Sequence, residues 1–310
     1  MLITPNFAVY PRDIDGNIIG GSNNLNNIEN LKSAQVNHLG FDNGRINGIG
    51  RWMFTKDISN LKNEEALMNS FDFSTRKAIR KTIKNRIIIK QLDYDELDQF
   101  KQLTEITSKR LQYRDRNLNY YQSLKTHFKD NCKVISAQLD VMAYRQSLVE
   151  EADELTRNIE DYKKQIAEQH SSKKIVNRLK VAEQELEVLY KHIEEAQSLE
   201  DGAIINIGAV IFMVHSNEMT ALFAGNDADY FGFNGSHAIH YAAICEAVKL
   251  NLDRYNFYGT RGPYMNVEED GVYRFKKGFG GQVLEQPGNF ELIVNPFMNQ
   301  LYQIIHKIKS

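Results

Sequence analysis

Cysteine is almost missing from this chain: Cys132 and Cys245 are the only two in 310 residues. That scarcity excludes a disulfide scaffold and fits a reducing compartment. No apolar run approaches the roughly 18 residues that a membrane-spanning helix needs. The N-terminus MLITPNFAVY has no basic stretch followed by an apolar one, so no signal peptide is readable. A cytoplasmic protein is expected, with peripheral contact at the inner face of a membrane left open. Charge of one sign is missing too. The formal net charge of −2 argues against a wholesale nucleic-acid coat but permits local basic patches. Trp52 is the single tryptophan and reads as core. Walker, dinucleotide-binding, G-x-S-x-G and H-E-x-x-H signatures are absent. His237 and His240 stand at i, i+3 on an expected helix, but no Cys, Asp or Glu nearby completes a ligand set. Neither metal nor cofactor is expected.

What is present begins with a helical hairpin in the middle of a mixed α/β chain. Residues 141–168 place apolar side chains at Val141, Tyr144, Leu148, Ala152, Leu155, Ile159, Tyr162 and Ile166, spaced by threes and fours. Residues 175–196 repeat the rule from Ile175 through Leu179, Ala182, Leu186, Leu189 and Ile193 to Ala196. His170-Ser171-Ser172-Lys173 is a polar turn between them. Two seams with a period of about 3.5 residues and a short polar link describe an antiparallel coiled-coil arm. At about 1.5 Å per residue each helix would reach roughly 40 Å, more than a core requires. Hydrophobic content of 42% is enough for a sizeable core, and 310 residues suggest two domains.

Around the arm the pattern alternates strands and helices. Residues 7–10 and 17–19 are extended on either side of Asp15-Gly16, a hairpin signature. Residues 51–55 are extended, 74–84 form a short basic helix with Ser74 as its cap, and 86–90 form a β-branched strand. Residues 96–111 form an amphipathic helix with Leu97, Phe100, Leu103 and Ile106 inward. Residues 132–139 form a strand that runs into the arm, and strands 203–215 and 220–224 resume after it. A helix over 236–252, a strand over 255–258, a last strand pair of 282–285 with 290–294, and a helix over 299–309 follow.

Segment 74–90 carries Arg76, Lys77, Arg80, Lys81, Lys84, Arg86 and Lys90 with no acidic residue. Arg76, Arg80 and Lys84 share one helix face, which suits a phosphate-rich partner or, equally, a face balanced elsewhere in the fold. Further on, the aromatic strand Tyr255-Asn-Phe-Tyr ends in Gly259-Thr-Arg-Gly262, where Gly259 and Gly262 bracket Arg261 and suit close backbone approach to a ligand. Ten residues later, GVYRFKKGFGG sets Lys276 and Lys277 between Phe275 and Phe279. Aromatic neighbours partly desolvate such ammonium groups and strengthen them as partners for developing negative charge.

These segments resemble the FemABX family of non-ribosomal peptidyl transferases, which build peptidoglycan interpeptide bridges. The matching stretches are DRYNFYGTRG (253–262), EEDGVYRFKKGFGG (268–281), AGNDADYFGFNGSHAIHYAAI (224–244), STRKAIRKTIKN (74–85) and the segment 107–121. The resemblance covers nearly the whole chain from Pro5. It implies an α/β (α+β) fold of tandem acetyltransferase-like (GNAT-type) subdomains, the first incomplete. Residues 1–51 are a remnant of the first subdomain, and 52–140 with 201–294 form the second. Residues 141–200 are the coiled-coil arm and 295–310 a C-terminal helix. The implied activity moves an amino acid from aminoacyl-tRNA to the stem-peptide amine of UDP-MurNAc-pentapeptide or lipid II. Carried over by position, Arg116 and Tyr120 hold the acceptor's diphosphate, and Tyr230 adds a phosphate contact. Lys276, after Phe275, is the cation beside the transferred carbonyl, with Lys277 as the alternative, and Phe275 and Arg261 are substrate-binding. Two bland readings stay open: Arg116 as an ion pair within Arg114-Asp115-Arg116, and Tyr120 packing inward while Tyr121 faces out.

Candidate tRNA contacts are Arg76, Arg80 and Lys84, with Lys173, Lys174 and Arg178 at the arm's basic tip; an arm that docks a protein partner is the equal alternative. The sequence departs from the family pattern twice. An N-terminal portion found in family members has no counterpart here, and Thr4-Pro5 replaces an Asp-Pro pair whose carboxylate would handle the attacking amine's proton. Alternatives are an inactive paralogue acting as an interaction protein, and an acyl-CoA-dependent N-acyltransferase.

Overall fold

The computed structural model describes residues 1–3, 5, 7–20, 24–41, 51–168, 172–260 and 270–309. Its first elements are β1 (Leu2–Ile3), β2 (Tyr10–Arg12), α1 (Leu25–Ser33) and β3 (Val36–His38). Next come β4 (Trp52–Asp57), α2 (Glu64–Asn69), α3 (Phe73–Lys84), β5 (Ile88–Gln91), α4 (Leu97–Leu111) and α5 (Leu118–Phe128). Strand β6 (Cys132–Asp140) leads into two long helices, α6 (Val141–Ala167) and α7 (Lys173–Gln197), and β7 (Ile204–His215) follows. The order continues with β8 (Glu218–Asn226), α8 (Gly235–Lys249), β9 (Arg254–Thr260) and α9 (Gly271–Gly278). Then come β10 (Gln282–Glu285), β11 (Phe290–Leu292) and α10 (Pro296–Lys309). The architecture is mixed α/β, in two compact units. The first holds Met1–Phe73, Ser216–Ala221 and Ala247–Ser310, and the second holds Ser74–His215 and Leu222–Glu246.

In the second unit β5, β6 and β7 are antiparallel neighbours. Strand β6 alternates apolar and polar residues, yet both of its faces are covered. Ser136 Oγ and Gln138 Nε2 donate to Asn206 Oδ1 at 3.1 and 2.8 Å, and Asn206 Nδ2 donates to Gln99 Oε1 at 3.0 Å. That network satisfies the polar side chains that the sheet buries. Below it, Leu97, Phe100 and Leu103 of α4 pack with Tyr121, Val134, Ala209 and Ile211. Ile106, expected inward, is 39% exposed. The reason is helical phase: at about 3.6 residues per turn Ile106 falls off the arc of Leu97, Phe100, Leu103, Thr104, Thr107 and Ser108 that α4 buries. Strand β8 meets this helix at Gly225, where a Cβ would lie 2.6 Å from the backbone of Leu103 and Thr104. Thr107 Oγ1 donates to Asn226 O at 3.0 Å and accepts from Asn226 N–H at 2.8 Å.

The long helices are inserted between β6 and β7, which pair from Cys132↔Met213 to Asp140↔Ile204. Asp140 turns strand into helix without a loop, its Oδ1 accepting from Ala143 N–H at 2.9 Å. Arg145 near the start of α6 donates to Ala196 O at 3.0 Å and Leu199 O at 2.7 Å, and Lys163 pairs with Glu183, so the helices run antiparallel. Leu148, Ala152 and Ile159 are buried on α6, as are Ala182, Leu189 and Ala196 on α7. The expected turn residues His170 and Ser171 lie outside the described residues. At the base, Lys84 pairs with Glu151 and Arg86 with Glu150.

In the first unit β10 lies between β2 and β4, antiparallel to both, and β4 pairs antiparallel with β9. The start of β8 runs parallel to β9, Glu218 opposite Arg254. A separate sheet has the order β1-β11-β3. The expected pairing of 282–285 with 290–294 is therefore wrong: β10 and β11 belong to different sheets. Gly288, at φ +81° and pressed against Gly40 O, turns the chain from one to the other. The basic helix also begins at Phe73, before Ser74. Residues 271–278, read from sequence as a glycine-rich segment, are helix α9.

Candidate functional site

In the second unit the candidate diphosphate pair sits where α4 ends and α5 begins. Gln112 closes α4 in the left-handed region at φ 54°. Asn117 caps α5, its Oδ1 accepting from Tyr120 N–H at 2.9 Å. Between them Asp115 accepts from Lys101 Nζ at 2.6 Å, Thr104 Oγ1 at 2.8 Å, Tyr121 OH at 2.7 Å and Arg116 N–H at 2.8 Å. Burial raises the Asp115 carboxyl, but the bonds from Lys101, Tyr121 and Thr104 outweigh it and hold the group below the usual range. Burial and the bond to Asp115 push the Tyr121 phenol well up, so it stays a donor.

Both open alternatives about this pair are settled by that geometry. Tyr121 is the inward tyrosine, 1% exposed, while Tyr120 is 37% exposed. Asp115 touches Arg116 through the backbone, and its ion-pair partner is Lys101. The Arg116 guanidinium lies over the Tyr120 ring, 5.2 Å from its centroid. Arg114, Asp115, Arg116, Asn117 and Tyr120 line a hollow of about 380 Å³. Tyr230 stands on a separate element of the same unit, the 3-10 turn Ala228–Phe233 after β8. It is half-buried, and its ring lies 6.2 Å from that of Phe233.

Lys276 lies in the first unit, on α9. Asp270 starts this helix by accepting from Val272 and Tyr273 N–H, each at 3.0 Å. Tyr273 OH donates to Ile14 O at 2.7 Å, and Lys277 pairs with Asp15 at 3.1 Å. Lys276 points the other way. It is 7% exposed, and its ammonium donates to Gly259 O at 2.6 Å and Tyr258 O at 3.4 Å, at the end of β9. The two adjacent lysines are thus distinguished: one is buried on carbonyls, the other half-exposed in an ion pair. Tyr258 adopts the left-handed region at φ 65°, with its N–H bonded to Asn256 Oδ1 at 2.7 Å. Phe275 packs edge-on against Phe279 at 5.2 Å. Arg261 and Thr4 lie outside the described residues.

Of the candidate tRNA contacts, Lys84 is engaged by Glu151, and Arg80 is exposed on α3 beside the half-buried Arg76. Lys173, Lys174 and Arg178 line a groove of about 650 Å³ on the long helices, together with Leu155, Tyr162 and Val181. Among the described residues no group of three His, Cys, Asp or Glu could hold a metal, and no helix is long and apolar enough to cross a membrane.

The profile of the FemAB family matches residues 1–307. This chain belongs to the FemAB family. It is 29% identical to aminoacyltransferase FemA of Staphylococcus epidermidis strain RP62A over 301 residues, 96% of this chain and 72% of that one. Against FemA of Staphylococcus aureus strain N315 the identity is 27% over 300 residues, covering 96% and 71%. A crystal structure of FemX is similar over 97% of this chain and 73% of its own, with a TM-score of 0.74 at 22% identity, which shows a shared fold. Membership of the FemAB family makes the chain an acyltransferase.

Sequence reasoning missed two parts of this FemAB chain that hold the candidate residues in place. One is Asp115, visible only as the middle of Arg-Asp-Arg. The other is Lys56, in the apolar strand β4. Its Nζ donates to Phe279 O, just past the end of α9, at 2.9 Å and lies 5.3 Å from the Phe71 ring centroid. Burial lowers the Lys56 pKa to about 8, only partly countered by Asp57. Because the unfolded chain keeps its proton up to about 10.5, it binds more protons than the folded chain above pH 8, and stability rises with pH through that window. Lys56→Met removes the effect. Denaturant unfolding should show its advantage over the parent shrinking by about 3 kcal/mol between pH 8 and pH 10.5. A constant difference across the window would contradict the burial of a charged Lys56.

Proposed function

We propose that this FemAB-family chain transfers an aminoacyl group from aminoacyl-tRNA to the stem-peptide amine of a peptidoglycan precursor in cross-bridge synthesis. The acceptor is UDP-MurNAc-pentapeptide or its lipid-linked form, lipid II. Its subdomains are GNAT-like, and its helical pair is a coiled-coil arm. The carrying observation is a buried ammonium, Lys276, fixed by backbone carbonyls at a strand end. The FemA relatives' name, aminoacyltransferase, supports the reaction class.

In the proposed step the acceptor amine attacks the ester carbonyl of the charged tRNA. A C–N bond forms and the carbonyl π electrons move to oxygen, giving a tetrahedral oxyanion. Lys276 stabilises that charge, and a fixed cation in a dehydrated site does so without reorganising. Collapse breaks the C–O bond, the ribose oxygen leaves, and the amine's proton reaches it through the vicinal ribose hydroxyl. Arg116 holds the acceptor's diphosphate through its planar guanidinium, with Tyr120 and Tyr230 as phenolic donors. Lys173, Lys174 and Arg178 in the arm groove take tRNA phosphates, aided by Arg76 and Arg80 on α3.

A transfer assay with charged tRNA and UDP-MurNAc-pentapeptide, run beside acetyl-CoA and a pentapeptide, tests this reading. Product from the tRNA donor is expected, and product only from acetyl-CoA would overturn the proposal. Lys276→Met should lower kcat about 100-fold or more with acceptor KM nearly unchanged, whereas Arg116→Ala should raise acceptor KM about tenfold. The reverse pattern would exchange their roles and sink the mechanism. Alanine at Lys173, Lys174 and Arg178 should flatten the salt dependence of tRNA binding by roughly 0.7–0.9 in log–log slope per lost phosphate contact. An unchanged slope would remove the arm from donor binding.

A further inference from the structure

A carboxylate inside a phosphate-binding loop needs an explanation, because it repels the ligand and competes for the arginines. In Arg114-Asp115-Arg116 the default outcome is an ion pair between neighbours. Here Asp115 is withdrawn from both guanidiniums. Its side chain is 9% exposed, and its charge faces Lys101, which also pairs with Glu105 at 2.9 Å. Its two oxygens accept four donors drawn from α4, the loop itself and α5. Neither Arg114 nor Arg116 forms an ion pair among the described residues, and Arg116 rests over Tyr120.

We infer that Asp115 is a positioning residue for acceptor binding, pinning the α4–α5 loop so that Arg116 and Tyr120 face outward. The inference rests on the reading that Arg116 and Tyr120 hold the acceptor's diphosphate. Two consequences of the geometry carry it. The bond from Tyr121 OH, with its ring packed on Phe100 and against Leu118 and Leu124, fixes which of two adjacent tyrosines points inward, and therefore which one the solvent sees. The Lys101 and Thr104 bonds tie the loop to α4, whose interior face is locked in turn by Leu103 against Gly225. An amide in place of the carboxylate keeps the shape but turns one acceptor oxygen into a donor. At least one pair among the four becomes donor against donor, and the loop loses its register.

The test is calorimetric binding of UDP-MurNAc-pentapeptide to Asp115→Asn, Tyr121→Phe and Arg116→Ala, with steady-state transfer kinetics beside it. Asp115→Asn should weaken acceptor binding about tenfold, with the loss in acceptor KM, not in kcat at saturation, and with tRNA KM unchanged. Tyr121→Phe, which removes one donor and keeps the ring, should show the same pattern at about two- to fivefold. If Arg116→Ala binds the acceptor as the parent does, the diphosphate reading has failed and the inference falls with it. If Arg116→Ala loses binding while Asp115→Asn and Tyr121→Phe keep it, the positioning role alone is wrong. A uniform fall in kcat with acceptor affinity retained would likewise overturn it. Tyr121→Phe decides the matter if Asp115→Asn does not fold.

Discussion

The hydrogen bond from the Lys276 ammonium to Gly259 O, at 2.6 Å, is the interaction on which the rest depends. Burying a charge costs several kcal/mol unless polar atoms replace its water. Two carbonyls supply that replacement here, and they are available because β9 leaves ordinary strand geometry at Tyr258. A tyrosine in the left-handed region costs about 1–2 kcal/mol, offset in part by the bond from its N–H to Asn256 Oδ1. Asn256 is held by Glu218, which also accepts from Thr220 and faces Arg254. Helix α9 is fixed along its length by Asp270, Tyr273, Lys277 and Lys56. These bonds together fix the end of β9 and helix α9 on either side of one ammonium.

The second unit solves a related problem with the opposite sign. There the buried charge is a carboxylate, Asp115, and its partners are Lys101, Thr104 and Tyr121. What it leaves exposed is a guanidinium stacked on a phenol. In both units a desolvated charge is held by fixed neighbours, and under the proposed function the groups offered to a ligand are set before it arrives. Such preorganisation is where polar sites gain most over the same groups in water.

Much of this architecture could be read from the residues. The threes and fours of α6 and α7 depend on local spacing alone, so the helical pair and its insertion between adjacent strands were visible. Strand pairing is not local, and 282–285 was matched to the wrong partner because nothing in its own residues reveals that Gly288 redirects the chain. Ile106 continued the spacing of threes from Leu97 through Leu103, and at about 3.6 residues per turn such a series drifts off the buried face. Helix α9 was obscured by its own composition, since Gly271, Gly278, Gly280 and Gly281 mask a helix that Asp270 starts. Of the consecutive tyrosines, Tyr121 shares an i, i+3 face with Leu118 and Leu124, which pack against the same cluster, and the bond to Asp115 adds to that register. Lys56 was illegible because a lysine in a strand ordinarily faces water.

The central claim, that Lys276 serves the transition state and not the ground state, is tested most directly by a phosphonate analogue of the tetrahedral intermediate. Its affinity should be measured for the parent, Lys276→Arg and Lys276→Met, and set against kcat/KM for the same proteins. The account predicts that the logarithms fall together, with a slope of about one, while affinity for the unreacted acceptor stays level. Analogue affinity that ignores residue 276 while kcat/KM collapses would contradict it, and would reduce Lys276 to a strut that holds the end of β9.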